Sequence, residues 1–196
     1  MILYLLIITF ASLIISLSVN VYSSISFFTV FGLTWIAIVA VLLIDAITAT
    51  IARLLPAKLA NHEKKFFQVS AKEKKFYEKL KIRKWKDAIP EIGQFTGFRK
   101  NTLQDPKSVE YVDRFLLETC YGEIGHTASV FTGFLILLLF FLTPLWWGIS
   151  IPVAVINAIL NLPSLFILRY NSYKLEILRK SNLKRQQANQ QTKQEN

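Results

Sequence analysis

Apolar positions dominate two stretches of the chain so completely that no soluble amphipathic pattern fits them. From Met1 to Ile44, and again from Thr127 to Leu168, no charged residue interrupts the run. Eighteen or more consecutive apolar residues are read as membrane-crossing helices. Residues 1–19 make one such span, and the uncharged linker Asn20–Ser26 leads into a second over 27–52. Arg53 ends it and Pro56 prevents its continuation. No basic n-region precedes the first run, so a retained helix is expected rather than a cleaved signal. The second stretch is too long for one crossing and breaks at Pro144-Leu-Trp-Trp-Gly148 and Pro152. It predicts a helical hairpin with arms 127–143 and 150–168, and with Trp146 and Trp147 at an interface.

Between the two stretches the pattern turns basic and amphipathic. From Lys64 to Trp85, the residues Phe66, Val69, Phe76, Tyr77 and Leu80 share one helical arc among lysines, as in a helix lying in the headgroup plane. Pro90, Gly93 and Gly97 then predict a loop, and Asp105-Pro106 a turn into a helix that carries Glu118. The polar tail 182–196, rich in Gln, Asn and Lys, predicts disorder after a single membrane-embedded domain over 1–181.

Charge sharpens this picture. Asp45 is the single charge in residues 1–52, and all 23 Lys and Arg lie at or after Arg53, giving a net charge of +10. Because the basic segments flank the spans, anionic headgroups are the simpler partner and no nucleic acid is expected. The fold class is therefore all-α: a multi-pass membrane protein of about four spans, with basic loops and both termini on the cytoplasmic side. Lone Cys120 excludes an internal disulfide and lies on the apolar side of its helix, as a packing thiol.

Candidate chemistry gathers at the mouth of the second apolar stretch. At about 100° per residue, Glu118, Thr119, Gly122, Glu123 and His126 fall in one arc of roughly 140°. Gly122 and Gly125 cost helix stability and suggest a close approach to the backbone. Three readings stay open: a general base at His126 with its tautomer fixed by Glu118 or Glu123, a metal site, or a network neutralised by Arg114 or Arg169. Asp45 is expected to face protein or water rather than lipid, paired with Arg53 or Thr48 or lining a substrate cavity. Asn161, beside Pro163 in the last span, needs a partner if buried. Lys84, Trp85, Lys86, Asp87, Arg99 and Lys100 suit a phosphate-bearing ligand or a snorkelling, lipid-facing set.

The motifs Lys84-Trp85-Lys86-Asp87 with Pro90, Glu118-Thr119-Cys120 with Glu123 and His126, and Asn161-Leu162-Pro163 with Arg169-Tyr170-Asn171 occur in this order. Over roughly Leu80 to Asn171 the chain resembles the glycosyl-4,4'-diaponeurosporenoate acyltransferases, small bacterial membrane enzymes of staphyloxanthin-type carotenoid synthesis. The resemblance implies transfer of a fatty acyl group to a sugar hydroxyl of a glycosylated carotenoid in the bacterial cell membrane. Acyl coenzyme A is a candidate co-substrate, and neither a cofactor nor a metal is expected. Catalysis would fall to His126, Glu123 and Glu118, with Arg169 as an oxyanion donor. Lys84, Trp85, Lys86, Asp87, Arg99, Lys100, Asp45, Asn161, Arg169, Tyr170 and Asn171 would bind substrates. Another lipid acceptor, or a non-catalytic lipid-binding protein, are the alternatives.

Overall fold

A computed structural model describes residues 2–89 and 103–194, and within these every regular element is helical. The helices are α1 (Ile2–Tyr22), α2 (Phe27–Leu54), α3 (Ala71–Lys79), α4 (Ile82–Trp85), α5 (Val109–Thr132) and α6 (Ile151–Gln194). Short 3-10 segments cover Lys86–Ala88 and Gly133–Leu138, and one π turn covers Trp146–Ser150. The loop expected around Gly93, Gly97, Phe98, Arg99 and Lys100 lies outside the described residues.

Among the described residues, three helices are long and apolar enough to cross a membrane: Ile2–Tyr22, Phe27–Leu54 and the run Trp146–Thr192. The arm expected over 127–143 is not a continuous α-helix. α5 stops at Thr132, a 3-10 segment follows, and Phe140 and Leu142 take positive φ of 61° and 60°. Bulky residues adopt that region only where a tight reversal demands it. The fold-back itself is clear from its register. Ser150 Oγ donates to the Leu139 carbonyl at 2.5 Å, Trp146 Nε1 to that of Leu137 at 2.8 Å, and further down Gly133 abuts Asn157.

The chain forms two compact units. The first comprises Met1–Leu54, Lys86–Pro90 and Ile124–Leu165. Its core packs Ile15, Val19, Val30, Ala37, Val41, Ile136, Ile149 and Ala154. Buried Ser16 and Thr34 donate to the carbonyls of Ser12 and Val30, so small polar residues sit between helices without orphaned groups. Leu6, Phe28 and Leu43 are more than half exposed on the outside, a surface that lipid tolerates and water does not. At Gly148 an added Cβ would lie 2.4 Å from buried Val19 Cγ2 and 2.2 Å from the Tyr22 hydroxyl. Gly148→Ala is therefore expected to cost about 1–3 kcal/mol in thermal unfolding in detergent. An unchanged melting temperature would refute this packing.

The second unit comprises Leu55–Trp85, Glu91–Glu123 and Phe166–Asn196. Val112, Leu116 and Leu175 form a small core, and the Tyr77 and Phe166 rings pack at 5.6 Å. The single helix expected over 64–85 is broken. Ser70 Oγ accepts from the Glu73 backbone N–H and starts α3 there, and Lys81, at φ 53°, ends that helix. Helix α6 continues to Gln194 through the tail whose composition predicts disorder. Extending a preformed helix avoids the cost of nucleation, and Lys, Arg, Gln and Ala are good helix formers.

Candidate active site

The first polar network lies in the first unit. Asn157 and Asn161 are one turn apart on α6, so their amides share a face. Asp45 of α2 accepts from both, Oδ1 from Asn157 Nδ2 at 3.3 Å and Oδ2 from Asn161 Nδ2 at 3.1 Å. Asn161 Nδ2 also donates to the Asn157 carbonyl at 3.1 Å. Both contacts of that nitrogen are acceptors, so the amide orientation is settled by chemistry. Asn161 Oδ1 then accepts from His126 Nδ1 at 2.9 Å. The imidazole is thereby held as the Nδ1–H tautomer, with the Nε2 lone pair left for a proton. At Gly133 an added Cβ would come within 2.4 Å of Asn157 Nδ2, so the glycine leaves room for this amide. Thr48 and Thr132 bond at 2.9 Å in the same unit.

The second network lies in the second unit around Arg169. Its Nε bonds Glu73 Oε1 at 2.5 Å and its Nη2 bonds Glu73 Oε2 at 3.1 Å, a fork on one carboxylate. Nη1 donates to Glu123 Oε2 at 2.9 Å and to the Phe66 carbonyl at 3.0 Å. Glu123, fully buried, takes a further bond from Ser172 Oγ at 2.8 Å. Tyr77 donates to Glu73 at 2.6 Å. Two carboxylates thus share one guanidinium. Glu123 lies on the part of α5 that precedes the apolar run, and burial pushes its carboxyl up to about 7 against the pull of Ser172 and Arg169. Burial also raises Glu73, but bonds from Arg169, Tyr77 and the Ser70 turn outweigh it and hold that carboxyl below its ordinary range.

Several expectations change. The partner of the imidazole is the Asn161 amide, where a carboxylate from Glu118 or Glu123 is expected from the helix arc. Glu123 belongs instead to the ion-paired network with Arg169, one of the three readings of the sequence. Arg169, expected as an oxyanion donor, has its Nε, Nη1 and Nη2 all engaged. Glu118 is half-buried on α5. Lys84 is exposed on α4, Trp85 donates to the Leu80 carbonyl at 2.8 Å, and Lys86 and Asp87 lie in the 3-10 turn. Asn171 is half-buried on α6, Tyr170 is buried, and Cys120 is a buried thiol. Arg99 and Lys100 lie outside the described residues. What approaches Gly122 is Leu168, 2.9 Å from where a Cβ would stand. Among the described residues, no three His, Cys, Asp or Glu side chains group as metal ligands.

Asn157, Glu73 and Ser172 are the participants that sequence reasoning missed. Asn157 had a signal, a second amide four residues before Asn161 in an apolar helix. Glu73 had none, since 96 residues separate it from Arg169.

Apolar helices with lipid-type outer surfaces, together with a charged, amide-bridged chain ending on an imidazole, define an integral membrane protein with a polar centre inside its helices. The family model described as glycosyl-4,4'-diaponeurosporenoate acyltransferase matches residues 56–181, well over half of the chain. The chain belongs to that family and is a membrane acyltransferase of carotenoid biosynthesis. No curated protein and no solved structure matches it.

Proposed function

We propose that this acyltransferase moves a fatty acyl group from acyl coenzyme A to a sugar hydroxyl of a glycosylated carotenoid, with His126 as the general base. The observation that carries this reading is the chain Asp45–Asn161–His126. A carboxylate polarises an amide, and the amide fixes the imidazole tautomer, the role a carboxylate plays directly in a hydrolase triad. His126 Nε2 takes the proton of the sugar hydroxyl as its oxygen attacks the thioester carbonyl. The tetrahedral intermediate then collapses, the C–S bond breaks, and the imidazolium returns the proton to the leaving thiolate. Asp45 contributes by holding Asn161, so it acts as a positioning residue. A polyene and an acyl chain both require an apolar environment, which the spanning helices supply. The charge asymmetry along the chain supports basic loops on the cytoplasmic side, where a soluble thioester is available.

The test is direct. Purified protein in nanodiscs, given palmitoyl coenzyme A and a glucosylated C30 carotenoid acid, should yield the carotenoid glycoside ester by mass spectrometry. An ester formed only on a glycolipid without a polyene would reassign the acceptor. No ester on either acceptor would overturn the reading.

A further inference from the structure

Arg83 of α4 and Lys174 of α6 converge on one buried phenol. Arg83 Nε donates to the Tyr170 hydroxyl at 2.9 Å, and Lys174 Nζ lies 4.2 Å from the centroid of the same ring. Tyr170 is 1% exposed and therefore a fixed post, whereas both cations are exposed to solvent. Three other cations of this unit are neutralised: Arg169 by Glu73 and Glu123, Arg179 by Asp113, and Lys74 by Glu78. Among the described residues, neither Arg83 nor Lys174 has a carboxylate partner, and the terminal nitrogens of Arg83 have no protein acceptor. Like charges drawn to one aromatic residue repel each other unless an anion joins them. A guanidinium fork beside an ammonium suits a phosphate oxygen set, which takes bidentate bonds from the first and a point charge from the second. Carboxylate recognition would need only the fork.

We propose that Arg83 and Lys174, held beside each other by Tyr170, form a binding site for the phosphate of a phosphate ester. It deepens the acyl-transfer reading, because a coenzyme A thioester carries such phosphates, but the binding itself does not depend on His126. An anionic phospholipid headgroup offers the same chemistry, and the experiment separates the two sources.

Coenzyme A is titrated calorimetrically into wild-type protein in phosphatidylcholine nanodiscs, with pantetheine as the probe that lacks phosphate. Coenzyme A should bind and pantetheine should not. Arg83→Gln and Lys174→Gln should each weaken coenzyme A roughly ten- to a hundredfold, the loss of a charge-assisted contact. Lys174→Arg should retain most of the affinity. If coenzyme A fails to bind while phosphatidylglycerol in the nanodisc protects Lys174 from amine labelling, in a manner lost in Arg83→Gln, the headgroup is the ligand and the phosphate site stands. Equal affinities for both probes in wild type and the two Gln variants would overturn it. Lys174 is exposed and packs on the Tyr170 ring, so Lys174→Gln decides the matter even if Arg83→Gln unfolds. His126→Ala protein should bind coenzyme A normally. Binding without ester formation would sink the acyl-transfer reading alone, and full turnover with Arg83-independent binding would sink the site alone.

Discussion

Replacing His126 with alanine should lower turnover roughly 10²–10⁴-fold per folded molecule, the usual contribution of a positioned general base. The variant leaves Asn161 Oδ1 without its donor, a loss of about 1–3 kcal/mol that still permits folding and insertion. Asn161→Leu should come close to the same loss of turnover, because it frees the imidazole and separates it from Asp45 in one step. Asp45→Asn should do less, since an amide can still hold Asn161 in place while lacking the charge that polarises it. Losses in His126→Ala and Asn161→Leu should be far from additive: a base that is mispositioned and a base that is missing fail at the same proton transfer. Rates are compared at equal amounts of monodisperse protein, quantified by size-exclusion chromatography. Near-normal turnover in monodisperse His126→Ala would end the proposal for this residue.

Arg169→Ala should be the most destabilising single change, at about 3–5 kcal/mol, because it strips the cation from a fully buried carboxylate and a half-buried one together. The cost should also depend on pH. Glu123, already pushed up to about 7 by burial, loses the guanidinium that lowers it and so remains protonated to higher pH in the variant. At acidic pH it is neutral in wild type and variant alike, and the difference between them narrows. As pH rises through 7, only the wild type accommodates the anion, and the difference widens. Glu123→Gln should be much milder, since the amide keeps the shape and still accepts from Ser172. Chemical unfolding at pH 6 and pH 8 checks both statements. A penalty for Glu123→Gln equal to that of Arg169→Ala would show that the guanidinium is not the keystone of this unit.

Local rules account for the long helices. The length and purity of the apolar runs set α1, α2 and the last spanning helix, because every backbone polar group in lipid must be satisfied within its own helix. The price of a charge in that medium also decided that Asp45 faces protein, and its two amide partners agree. Of the helical arc around Glu118, Glu123 and His126, the last two enter polar networks, and those networks are separate. Which partner each group takes was decided only by tertiary structure. Glu123 and His126 lie three residues apart, yet one bonds Arg169 and Ser172 while the other bonds Asn161, through contacts 35 to 49 residues away in sequence. Periodicity gives the direction of a side chain from its own helix but says nothing of what another helix brings to meet it. The same limit explains the irregular arm after Thr132 and the break before α3. In the first, apolar composition is compatible with α, 3-10 or a turn, and packing chooses among them. In the second, Ser70 competes for the Glu73 amide, and an amphipathic pattern gives no weight to a cap.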